Sequence, residues 1–125
     1  MEIMSGPNEE DAPITAWLTD MDGVLVHEGQ ALPGAAEFLQ ALQETGRRFL
    51  VLTNNSIYTN RDLSARLERS GLHVPEDRIW TSANATAAFL TQQSPESSAF
   101  VIGEAGLTTA LHSAGYVMTE QDPEY

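Results

Sequence analysis

Cysteine is absent from the 125 residues, and so is lysine. Without cysteine there is no disulfide framework and no thiol chemistry, which fits a reducing cytoplasm. The six basic residues are scattered, and the net charge is −12. With no basic stripe to neutralise phosphate backbones, nucleic acid is not an expected partner. No run of 18 apolar residues is present, so no membrane-spanning helix is expected. The opening MEIMSGPNEEDAP has neither a basic n-region nor an apolar h-region, so it does not read as a secretory signal, and a cytoplasmic location is expected.

What is present is ordinary for one soluble globular domain: 42% hydrophobic and 19% charged residues over a length that can bury a core. Residues 1–13 read as a flexible acidic tail and 14–125 as the folded part. ITAWLT (14–19) reads as a buried strand. PGAAEFLQALQETG follows as a helix, with Ala35, Phe38, Leu39 and Leu42 at helical spacing and Gly46 as its stop. RRFLVLT is the next strand. TNRDLSARLERSG is the next helix, with Thr59 and Asp62 in capping-box spacing. RIWTS reads as a short strand, Ser82 as the cap of a third helix, and SAFVIG as a fourth strand. Leu107, Ala110, Leu111 and Ala114 give a fourth helical stripe. The order βαβαβαβα predicts an α/β fold, a Rossmann-like parallel sheet with helices on both faces.

Into this frame the stretch AWLTDMDGVLV sets two carboxylates, Asp20 and Asp22, at the end of the first strand. Ligands of open parallel sheets bind beyond the carboxyl ends of the strands. Gly23 permits a sharp turn there, and VLTNN brings Thr53, Asn54 and Asn55 to the same rim. Such a set suits phosphoryl transfer. One carboxylate attacks phosphorus. The other moves the proton. Mg²⁺ suits the pair of hard oxygen ligands, and Thr53 with the following N–H groups holds the phosphoryl oxygens.

DMDGVL resembles the first motif, DxDGxL, of the haloacid dehalogenase superfamily. VLTNNS looks like the second motif of its NagD-like branch, and the intervening LPGAAEFLQALQETGRRF and the later VIGEAGL fit the same branch, over about residues 15–125. The resemblance implies an Mg²⁺-dependent phosphomonoester hydrolase. Asp20 would be nucleophile and metal ligand. Asp22 would be general acid/base and would bind metal through its backbone carbonyl. Thr53 and Asn54 would bind the phosphoryl group. A small phosphorylated metabolite would be the substrate.

The family also uses a late lysine, a late acidic pair and a cap domain, and no segment here matches them. The chain therefore reads as a partial core, the N-terminal half of such a phosphatase, with self-association expected through the uncovered edge of the first strand. Two other classes stay open on the residues alone: a receiver-like phospho-acceptor, and a non-catalytic remnant that binds metal or partners. Asp22-Gly23 is also a hairpin signal. Trp17 and Trp80 read as packing residues, His27, His73 and His112 as surface or packing residues, and Glu104 and Gly106 as a loop after the fourth strand that either lines the site or, the preferred reading, is solvated.

Overall fold

The computed structural model describes residues 13–125. The tail read over 1–13 falls outside them, except for Pro13. Strand β1 is Ala16–Asp20. A two-residue ribbon follows, β2 (Val26–His27) against β3 (Gln30–Ala31). Its turn places Glu28 and Gly29 at φ of 48° and 76°, the left-handed pair of a tight hairpin. This ribbon is the hairpin of the region; it starts four residues after Asp22.

Helix α1 (Ala35–Glu44) buries Ala35, Leu39 and Leu42 of the stripe read from the sequence, and Phe38, its fourth position, is half-buried against the same core. Strand β4 (Arg48–Thr53) then pairs parallel to β1, and β5 (Ile79–Thr81) pairs parallel to β4 on its other side. Helix α2 (Asn60–Arg69) links β4 to β5. Thr59 caps it, its hydroxyl accepting the Asp62 amide. The sheet order β1-β4-β5 runs one way. Successive right-handed crossovers in one direction lay both helices on the same face. Phe49, Val51 and Ile79 on that face join Leu39, Leu42, Leu63 and Leu67 in one core.

The helical cover is uneven. Leu18, Leu50, Leu52 and Trp80 share the opposite face, where Leu18 is 68% exposed and Trp80 42%. The expected burial of the first strand is therefore corrected: its residues alternate between exposed and half-buried. Among the described residues β1 has a neighbour on one side only.

Helix α3 (Ser82–Gln93) starts one residue earlier than the sequence suggests. Thr81, not Ser82, is its cap: the Thr81 hydroxyl accepts the Asn84 amide and the Asn84 side chain accepts the Thr81 amide. SAFVIG is a strand only at β6 (Ser98–Ala99), which pairs with β7 (Val117–Met118) and not with the main sheet. The run turns Ala99 and the half-buried Val101 inward, while Phe100 and Ile102 face outward. Ala99 joins Ala87, Leu111 and Tyr116 in a second, smaller core between α3 and α4 (Ala105–Ser113). No helix among the described residues is long and apolar enough to cross a membrane.

Candidate active site

The one-residue spacing of the aspartates has a local cause. Met21, between them, points into the core and is 5% exposed, so Asp20 and Asp22 both face outward at the rim. The Met21 amide donates to Leu52 O at 3.1 Å, continuing the β1–β4 ladder by one step, and to Asp20 Oδ1 at 2.8 Å. The chain then turns sharply. The Leu25 and Val26 amides both donate to Met21 O, at 3.0 and 3.1 Å, and the Gly23 amide donates to Val26 O at 2.8 Å. Gly23 has a φ of 81°, a conformation that strains any residue with a Cβ.

Strand β4 delivers Thr53 to the same rim, one register step beyond the Asp20–Leu52 pair. Thr53 is only 7% exposed. Its hydroxyl donates to Asp22 Oδ2 at 3.3 Å and accepts the Asn55 amide at 3.1 Å. Asn55 commits its side-chain oxygen to the turn, accepting the Ile57 amide at 3.0 Å and the Tyr58 amide at 3.4 Å. Asn54 is exposed, and its carbonyl accepts the Ser82 hydroxyl at 3.0 Å. An open cleft of about 550 Å³ unites Asp20, Asp22, Thr53 and Asn54 with Trp80, Thr81 and Ser82. Three of these escaped the sequence reading. The rule that flagged Asp20 and Thr53 flags these as well, since Trp80 and Thr81 end the third parallel strand of the same sheet and Ser82 follows it directly.

The arrangement has the parts of a phosphate site. The first turn of α3 opens on the cleft, and a helix N-terminus favours negative charge. Asp20 and Asp22 offer hard carboxylate oxygens, the donors Mg²⁺ takes when it is held by one or two carboxylates and a substrate phosphate. No third Asp, Glu, His or Cys joins them among the described residues. His27 and His73 sit on the surface, each beside a glutamate. Gly106 is not in a solvated loop: it is buried in the first turn of α4, against the chain that follows Asn55.

Comparison with known proteins bears on this geometry. Residues 17–117 match the family model of haloacid dehalogenase-like hydrolases. The chain is 60% identical over 110 residues to the dihydroxyacetone phosphatase of Corynebacterium glutamicum (strain R), covering 88% of this chain and 40% of that protein. It is 41% identical over 108 residues to the ribonucleotide monophosphatase NagD of Escherichia coli (strain K12), covering 86% of this chain and 43% of that one. The solved structure of E. coli NagD superposes with a TM-score of 0.85 at 39% identity, over 91% of this chain and 45% of that one. A 4-nitrophenylphosphatase from Thermotoga maritima superposes with a TM-score of 0.80 at 33% identity, over 88% of this chain and 42% of that one. The chain thus spans less than half the length of these relatives.

Proposed function

Because this chain belongs to the haloacid dehalogenase-like hydrolases, we propose that the full-length protein hydrolyses a small phosphomonoester through an aspartyl-phosphate on Asp20. The observation that carries this is the meeting of Asp20, Asp22 and Thr53 at one rim of the sheet. Asp20 Oδ1 is tied to the Met21 amide, which fixes the carboxylate and leaves Oδ2 to attack. As the Oδ2–P bond forms, the ester P–O bond breaks and the leaving oxygen takes a proton from Asp22. Water then attacks phosphorus and gives its proton to Asp22. The P–Oδ2 bond breaks, and phosphate and the Asp20 carboxylate are released. The Thr53 hydroxyl and the Asn54 amide hold phosphoryl oxygens as charge shifts onto them, while the Asn55 amide, bonded to Thr53 Oγ1, supports that hydroxyl from behind.

Mg²⁺ is the proposed cofactor, held by Asp20 and by Asp22 through its backbone carbonyl. When bound it offsets the repulsion between carboxylate and phosphate. The identity to a dihydroxyacetone phosphatase puts a three-carbon keto phosphate first among substrates to try, ahead of nucleotide and sugar phosphates. A cytoplasmic setting belongs to the same proposal.

A second reading concerns residues 1–125 alone. They contain no lysine, and no third acidic ligand joins Asp20 and Asp22 among the described residues. By itself this stretch is expected to bind metal weakly and to turn over feebly.

The test is covalent trapping. The full-length protein, incubated with Mg²⁺ and ³²P-labelled dihydroxyacetone phosphate or a labelled nucleotide monophosphate and quenched in acid, should carry label on Asp20. Asp20→Asn should carry none and lose turnover. Wild-type rates in Asp20→Asn would remove the covalent mechanism.

A further inference from the structure

Gly106 occupies the first turn of α4, a place where glycine is a poor helix former and where no left-handed φ asks for it. The reason for it is contact. A Cβ at this position would lie 2.3 Å from Ser56 O, 2.5 Å from Tyr58 O and 2.8 Å from Ser56 C. All three are backbone atoms, so no side-chain rotation relieves the overlap. The Gly106 amide, one of the donors a helix leaves unpaired at its start, donates to Ile57 O at 3.0 Å. Glu104, at the cap position, makes no side-chain capping bond. A carbonyl of the 56–58 loop stands in for a cap.

That loop is the outer support of the candidate phosphate site. The Ile57 and Tyr58 amides donate to Asn55 Oδ1, and the Asn55 amide donates to Thr53 Oγ1. A short relay of hydrogen bonds therefore runs from Gly106 through Ile57 and Asn55 to the Thr53 hydroxyl. We infer that Gly106 is a positioning residue: the first turn of α4 clamps the 56–58 loop and so sets the direction of the Thr53 hydroxyl and the Asn54 amide toward phosphate. This deepens the phosphatase reading and rests on it. Gly103, three residues earlier, supplies the control. The three atoms nearest a Cβ there all belong to the Leu107 side chain, Cδ2 at 2.9 Å, and that side-chain end can turn away.

The experiment compares Gly106→Ala and Gly103→Ala in the full-length protein, with inorganic phosphate as the probe. Gly106→Ala should weaken inhibition by phosphate and lower kcat/KM by about 10–100-fold, the scale of a misplacement near 1 Å. Mg²⁺ affinity measured without phosphate should stay at the wild-type value, because neither proposed metal oxygen, on the Asp20 side chain or the Asp22 backbone, belongs to the relay from Gly106 to Thr53. Gly103→Ala should leave all three unchanged. A folded Gly106→Ala protein with wild-type phosphate inhibition would overturn the inference, as would equal losses in both variants. A measurement on unaltered protein stands beside these in case Gly106→Ala fails to fold. Phosphate with Mg²⁺ should slow hydrogen exchange in a peptide covering residues 103–108, because clamp and ligand stabilise one loop conformation reciprocally. Unchanged exchange there would also overturn it. Asp20→Asn separates the two readings. If it turns over normally the covalent mechanism fails, while the phosphate-affinity and exchange results still decide the role of Gly106.

Discussion

The Thr53 hydroxyl bridges the two strands of the site: it donates to Asp22 Oδ2 across 3.3 Å while accepting the Asn55 amide at 3.1 Å. A hydroxyl has one proton to give. It cannot serve Asp22 and a phosphoryl oxygen together, so in the proposed mechanism an arriving phosphate would take the bond and free the Asp22 carboxyl group for proton transfer. Thr53→Val keeps the shape and removes the proton. It should lower kcat/KM for 4-nitrophenyl phosphate about 10–100-fold, as a bond to a charged group is worth roughly 1.5–3 kcal/mol. Thr53→Ser should retain most of the activity. Wild-type activity in Thr53→Val beside a loss in Thr53→Ser would show that the methyl group, not the hydroxyl, matters.

Metal and phosphate should bind as a couple. Mg²⁺ held at Asp20 and Asp22, as proposed, would also take ligand atoms into its coordination, as it does where carboxylates and a substrate phosphate share it. Beryllium fluoride, a phosphoryl mimic, is therefore expected to bind the full-length protein only when Mg²⁺ is present, and to tighten Mg²⁺ by the factor by which Mg²⁺ tightens it. Calorimetric titrations in both orders check this. Full-strength fluoride binding in excess EDTA would contradict it.

The cap of α3 gives a stability prediction tied to the same rim. Thr81 is 2% exposed, and it exchanges hydrogen bonds with Asn84 in both directions. Thr81→Ala should cost roughly 0.5–2 kcal/mol, the usual loss for an N-cap. It should also loosen Ser82, whose hydroxyl holds the Asn54 carbonyl at 3.0 Å. Chemical denaturation measures the first effect and phosphate inhibition the second.

How far the sequence revealed all this varied with the physics involved. Asp20, Asp22 and Thr53 were legible because strand ends can be located from apolar runs, and parallel strands share one rim. Helices α1 and α2 were legible from their stripes and from Gly46 and Thr59. The α3 cap was misplaced by one residue because Thr81 and Ser82 are both good caps; only the reciprocal bonds with Asn84 decide between them. The β2–β3 ribbon escaped because two-residue strands have no periodicity, and Glu28-Gly29 is a weaker turn signal than Asn-Gly. SAFVIG read as a core strand because continuous apolar runs normally are buried. Its outward Phe100 and Ile102 could not be told from inward ones without knowing which elements lie opposite. Gly106 is a matter of backbone approach between segments some fifty positions apart, and no local pattern encodes that.

The last prediction concerns the 125-residue chain on its own. Among the described residues strand β1 has an unpaired edge, and beside it Leu18, Leu50, Leu52 and Trp80 make one apolar face, with Leu18 68% exposed. An open edge is a template for pairing with a second copy, and an exposed apolar face strengthens such pairing. The net charge of −12 opposes association by mutual repulsion. Salt screens that repulsion and leaves the apolar contact intact. Light scattering should therefore show a mass that rises with concentration, and rises further at high salt. Leu18→Lys gives a strict test, because it makes the net charge less negative and so reduces repulsion. If the apolar face drives association, the variant should nonetheless be more monomeric than the parent at equal concentration. A parent chain that stays monomeric at high concentration and high salt would show that the edge is protected, and the association reading would fall. An associated parent with an equally associated Leu18→Lys variant would move the contact away from β1, toward the exposed Phe100 and Ile102 beside β6.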